Sequence, residues 1–200
     1  MAKIGLRDPW YSVVTLGVNS STQEEEETIG TAKCLAKAVK ITATPNAPSV
    51  DLYADDGVDE SVSRFIKGSG TLIVNDLDDA AMLDLFEISQ PTSSDELYET
   101  EENTTRYIRL GVVVVKIKGG ATYYRGVVLA RVKFNIPTDE WDTQGEQIVL
   151  ATTALPFEFY RNVDRVWRKR SAWTQDYATA KAWMKAALAQ TDLTVKVPAT

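Results

Sequence analysis

The run YIRLGVVVVKIKGGATYYRGVVLARVKF, residues 107–134, constrains this chain more than any other stretch. Two β-branched and aromatic segments flank Gly119 and Gly120, which have the spacing and chemistry of a two-residue hairpin turn whose central positions need positive φ. Placing Lys118 opposite Ala121 puts Tyr107, Val113, Val115 and Ile117 on one face with Tyr124, Val128, Ala130, Val132 and Phe134. Only Arg109 interrupts that apolar set, which is assigned to the core. The other face mixes Ile108, Leu110, Val112, Val114, Val127 and Leu129 with Arg106, Lys116, Arg125, Arg131 and Lys133. It is too apolar to be simply solvated, so a neighbouring subunit is expected to cover part of it, with arginine at the contact.

Further strands are predicted at WYSVVTLG (10–17), CLAKAVKITATP (34–45), SVDLYAD (49–55) and SRFIKGSGTLIVN (63–75). The acidic tip Ala54–Gly57 reads as a turn. GEQIVLATTALPFEFYR (145–161) reads as a strand broken or bulged near Pro156, and RVWRKRSAW (165–173) as one more. Asp76 is expected to cap a short helix ending at Glu87, with Asp79 in its first turn and Leu77, Ala81, Met82, Leu85 and Phe86 on its apolar stripe. A second helix is predicted over 174–190, capped by Thr174, with Asp176 in the first turn. Its Tyr177, Ala180, Trp183, Met184, Ala187 and Leu188 recur at helical spacing, so Trp183 and Met184 read as packing residues rather than a ligand box. The fold class is mainly β: a β-sandwich of antiparallel sheets with a short flanking helix and a C-terminal helix, in a single domain over 1–200.

Two acidic segments interrupt the strand pattern. One, at about 18–32, holds the consecutive glutamates Glu24, Glu25, Glu26 and Glu27; the other, at about 88–104, is polar and poor in aliphatics. Both read as long loops, which in a compact domain are usually functional or disordered. Charge is also segregated along the chain. Residues 76–105 carry acids and no Lys or Arg, whereas 106–138 carry Lys and Arg and no acid. Separate acidic and basic patches favour head-to-tail association, the geometry of rings and filaments.

Little in the sequence points to catalysis. The chain has no histidine, the side chain that most readily moves protons near neutral pH, and Cys34 stands alone, so neither an internal disulfide nor a thiolate metal site is expected. Asp55 with Asp56, Asp78 with Asp79, and Asp139 with Glu140 are paired carboxylates that could hold a hard cation, but neighbouring residues diverge on strands and helices alike, so turns and caps are the simpler reading. No enzyme activity, cofactor or metal is expected. A net charge of −6 argues against a general nucleic-acid binder. No window approaches a membrane span and the N-terminus has no apolar core of a signal peptide, so folding in a reducing cytoplasm is expected.

TAKCLAKAVKITATPNAPSVDLYADDG, the GSGTLIVNDLDDAAMLDLF that follows, RYIRLGVVVVKIKGGATYYRGVVLARVKF and LPFEFYR together resemble the phage major tail protein family of the phi-thirteen type, the tail-tube subunits of phages with long non-contractile tails. The resemblance runs from about Met1 to Trp173, and the segment at 88–104 has no counterpart in it. It implies a structural virion protein, synthesised in the host bacterial cytoplasm, that assembles with itself into hexameric rings stacked as a tube. Other tail proteins would meet the tube ends, and genomic DNA would pass through the lumen to the host without specific binding. The alternative is another virion component, such as a tail-completion, neck or receptor-binding sandwich module.

Within that reading, residue roles follow. A cationic wall would hold phosphates too tightly in a DNA conduit, so Arg125 and Arg131 are expected to contact a neighbouring subunit. The segment from Val18 to Ala32 is expected to reach from one ring to the next, with Glu24–Glu27 meeting Arg161, Arg165, Arg168, Lys169 and Arg170, the densest basic stretch of the chain.

Overall fold

A computed structural model describes residues 2–20, 23–54, 57–90, 96–101, 103–137 and 152–190. The fold is mainly β with two helices, as the strand-rich sequence implies. Its centre is the predicted hairpin, β8 (Tyr107–Lys118) and β9 (Ala121–Phe134), with Lys118 opposite Ala121 and φ of 58° at Gly119 and 77° at Gly120. β1 (Ala2–Val18) pairs with the outer edge of β8 along almost its whole length, bulging twice. It therefore begins well before the predicted Trp10.

On the other side of β9 lies β10 (Thr153–Tyr160), followed by β7 (Lys67–Val74) and β4 (Ala38–Asn46). The predicted strand at 34–45 is thus split: β3 (Lys33–Cys34) pairs with β1, and β4 pairs with β7. The predicted strand at 63–75 divides too, into the end of β6 (Gly57–Ser63) and β7; β5 (Ser49–Ala54) and β6 form a separate two-stranded ribbon. β10 runs through Pro156 without the expected break, and the Asn135 N–H donates to the Pro156 carbonyl at 2.9 Å. β2 (Glu25–Ile29) lies on the free edge of β1, and β11 (Arg168–Arg170) pairs with β9.

All but the ribbon belong to one antiparallel sheet, in the order β2-β1-β8-β9-β10-β7-β4. The sheet folds over until β4 comes close to β1, so the two layers of the sandwich are parts of one surface. Between them lies the larger core, with Tyr11, Leu72, Ile108, Leu110, Phe134, Leu155, Phe157 and Phe159 all almost fully buried. Gly68 and Gly70 of β7 sit opposite Phe159 and Phe157 of β10, and a Cβ at either would stand 2.1 Å or 2.6 Å from the facing ring. The phenylalanine rings occupy the space that these glycines leave.

α1 (Asp79–Phe86) closes one side of this core with Ala81, Leu85 and Phe86. Its N-cap position is Asp78 rather than the expected Asp76, whose carboxylate instead accepts from the Leu77 N–H at 2.8 Å. α2 (Tyr177–Ala189) packs on the outer face of β8 and β9, burying Ala180, Met184, Ala187 and Leu188 against Val113 and Val128. Asp176, not Thr174, caps it, accepting from the Ala178 and Thr179 N–H groups. The helix lies close because Gly111 and Gly126 face it: a Cβ on Gly126 would be 2.7 Å from Trp183, and one on Gly111 would be 2.9 Å from Met184. Trp183 and Met184 pack against the sheet, as their helical spacing implies.

A β-bulge changes the predicted faces. Leu110 opposes Leu129, but Ile108 opposes Val132, so Arg109 faces both Ala130 and Arg131. Beyond the bulge, Val132 and Phe134 turn toward the larger core with Ile108, Leu110 and Leu129. The half-apolar second face is therefore covered by the chain itself at Ile108, Leu110 and Leu129, where a neighbouring subunit had been expected. Farther along it borders a groove, where Val114 and Val127 are half-buried and Val112 is buried.

Candidate assembly surface

The acidic segment at 18–32 is not the long loop that its composition suggests. β1 and β2 form a regular hairpin, Val14 opposite Ile29 through Val18 opposite Glu25, closed by bonds between Asn19 and Glu24 and between Gln23 and Asn19. Opposed residues share a face, so Val14, Leu16, Val18, Glu25, Glu27 and Ile29 point the same way. Along that face exposure climbs from 4% at Val14 to 43% at Leu16 and 63% at Val18. The hairpin is an arm whose apolar stripe leaves the body of the subunit.

Glu27 anchors the arm. It is buried, and its carboxylate accepts from Arg109 Nη2 at 3.3 Å and from Arg131 Nε at 3.0 Å, with a further bond from Arg131 Nη2. Arg109 is fully buried and also donates to the carbonyl of Gln190, at the end of α2. Burial pushes the Arg109 guanidinium below its ordinary range, opposed by the hydrogen bond and charge of Glu27. The bulge makes this network possible by bringing Arg131 to the same side as Arg109. Arg131 thus spends its charge inside the subunit, where a contact with a neighbour had been expected. Arg109 was visible in the sequence as the one charge in an apolar strand face; its partner was hidden among four identical glutamates.

Glu24, Glu25 and Glu26 remain exposed. The basic stretch expected to meet them is divided by the structure. Asn162 organises a tight turn, receiving the Val166 N–H on its side chain at 2.8 Å, and this turn presents exposed Arg161 and Arg165 on a cleft that Glu25 and Arg131 of the same chain also line. Lys169 turns the opposite way from its strand neighbours and donates to Gln190 at 2.9 Å.

Arg168 and Arg170, alternate residues of β11, lie with Arg125 and Trp173 along a groove of about 190 Å³. Its floor is Leu110, Val112, Val114, Val127 and Leu129, and Ile41 and Ala43 of the edge strand β4 form a wall. Lys116 and Arg125 both lie over the Trp173 ring, 3.8 Å and 4.6 Å from its centroid. Burial, and then the like charge of Arg170, push the Arg168 guanidinium below its ordinary range. Among the described residues no acid pairs with Arg125, Arg168 or Arg170, and the buried Arg125 Nε has no hydrogen-bond partner.

The second acidic segment leaves and rejoins the body through a bridge between Ser89 and Tyr98, and Glu87 accepts from Arg106 at 2.6 Å at its base. Residues 91–95 and 102 lie outside the described residues, as do Asp55, Asp56, Asp139 and Glu140. Asp78 and Asp79 stand at the cap and in the first turn of α1. Among the described residues no three His, Cys, Asp or Glu side chains are gathered as a metal site would need, and no helix is long and apolar enough to cross a membrane. No family model matches the chain, and no curated protein matches it.

Proposed function

We propose that this chain is a structural subunit that assembles with itself, and specifically a phage tail-tube subunit forming stacked hexameric rings around a conduit for genome delivery. The observation that carries the self-assembly reading is the arm. A two-stranded hairpin is at best marginally stable alone in water, and this one takes an apolar stripe out past the edge of its own core. Such a stripe is stabilised when another surface covers it, and the exposed glutamates beside it favour a cationic partner. The segregation of acids and bases along the chain supports a head-to-tail partner of the same kind. The ring and tube reading rests on the resemblance in sequence.

The test is electron microscopy of the purified protein over rising concentration. Stacked rings or tubes are the expected result. A closed small oligomer that never lengthens would favour a neck or tail-completion role, and a monomer at every concentration would sink the reading.

A further inference from the structure

We infer that the groove lined by Arg125, Arg168, Arg170 and Trp173 receives the acidic β1–β2 arm of a second copy of this chain, an assignment that rests on the self-assembly reading and gives it a specific contact. Three features of the molecule lead to it.

The first is chemical complementarity. The arm presents apolar Leu16 and Val18 on one face with Glu25, Glu24 at its tip and Glu26 on its other face, all exposed. The groove presents an apolar floor beside three guanidinium groups that no acid of the described residues neutralises. Each surface has what the other lacks, in both polar and apolar parts. Guanidinium groups suit carboxylates because their planar donors engage two oxygens at once.

The second is polarity. Val14, at the root of the arm, stands opposite Tyr107, whereas Leu6 stands opposite Val114. The arm therefore leaves at one end of β8, while the groove spans Leu110 to Val114, about 10–23 Å back along the strand at about 3.3 Å per residue. From its root the arm runs away from its own groove, so it cannot fold back to fill it. A contact between copies is heterologous, and repeating it propagates in one direction.

The third is that the basic groups at the root of the arm are already engaged: Arg109 and Arg131 hold Glu27, and Lys169 holds Gln190, while Arg161 and Arg165 line a cleft that Glu25 of their own chain already shares. Arg168 and Arg170 share the groove face of β11 because residues two apart in a strand point the same way.

A charge-swap experiment tests this. One variant carries R168E and R170E, the other E24K, E25K and E26K; circular dichroism and thermal melts check that both fold. Assembly is read by sedimentation and electron microscopy. Each variant alone is expected to need at least ten times the parent's concentration to assemble, and an equimolar mixture, in which each arm finds an oppositely charged groove, is expected to regain most of that loss. If the groove variant assembles as the parent does, the groove is not the receptor, while self-assembly stands. That outcome, combined with decanoate binding to the parent alone in calorimetry, would assign the groove to a small amphipathic carboxylate. If both variants fail and the mixture fails too, the pairing of arm with groove is also overturned. A parent that stays monomeric overturns the self-assembly reading and this contact with it.

Discussion

Glu27 lies between two guanidinium groups in a site closed to water, so removing its charge leaves Arg109 buried and uncompensated. Arginine keeps its proton at any pH that a protein meets, and cannot escape the cost by neutralising. Glu27→Gln should therefore destabilise the fold by about 3–5 kcal/mol, measured by urea unfolding. A loss below the error of the measurement would show that Arg109 finds other compensation. A second residue-scale case concerns acid. Burial pushes the Asp84 carboxyl up, but hydrogen bonds from Lys33 at 2.5 Å and Tyr11 at 2.6 Å outweigh it and hold the group below the usual carboxylate range. Asp84 thus binds its proton less readily folded than unfolded. Its contribution is present above the ordinary carboxylate pKa and is lost as pH falls through the depressed folded value. Asp84→Asn should lower stability at neutral pH and flatten the fall in stability on acidification; an acid limb as steep as the parent's would count against the assignment.

Elements are held by glycines at two places for different reasons. Gly119 and Gly120 have open space around them, so any cost of a side chain there comes from the backbone, which both hold at positive φ. Replacing both with Val should cost a few kcal/mol and lower the melting temperature by several degrees. An unchanged melting temperature would mean that the turn can adopt another form. Gly126 is the reverse case: its backbone is ordinary, but Trp183 and the Ala180 carbonyl leave no room for a Cβ. Gly126→Ala should push α2 outward and cost about 1–3 kcal/mol, with a change in tryptophan emission reporting the shift. The turn glycines were legible from spacing alone. Gly126 was not, because nothing in a strand sequence says that a helix from far later in the chain will lie across it.

At the scale of the whole molecule, the arm can be shortened without disturbing its anchor. Joining Gly17 to Glu26 through Asn-Gly, in place of residues 18–25, removes Val18 and two of the exposed glutamates and keeps Glu27 with both arginines. The shortened protein is expected to be soluble, with the parent's β-rich circular dichroism and melting temperature, and to form no tubes in electron microscopy. Tubes of ordinary length and salt resistance would show that stacking contacts lie elsewhere. A deletion that also removed Glu27 would confound this test, since its effect on folding would mask any effect on assembly.

The sequence by itself determined the strand-rich class, the central hairpin and its turn, the two helices to within a few residues, and the uneven placement of charge. These are local properties, written in the alternation of side chains and in the φ that glycine permits. Tertiary structure decided which face met what. One bulge opposite Arg109 moved Arg131 from one side of the sheet to the other, and the folding-over of the sheet covered much of an apolar face that the sequence alone assigns to a neighbour. It also turned a run of glutamates from loop into strand, because pairing with β1 and the bonds of Glu27 to Arg109 and Arg131 outweighed the poor strand propensity of Glu. Contacts between residues as far apart as Glu27 and Arg131 leave no periodic trace, so only the folded chain could separate the glutamate that anchors the arm from the three that remain free to meet another surface.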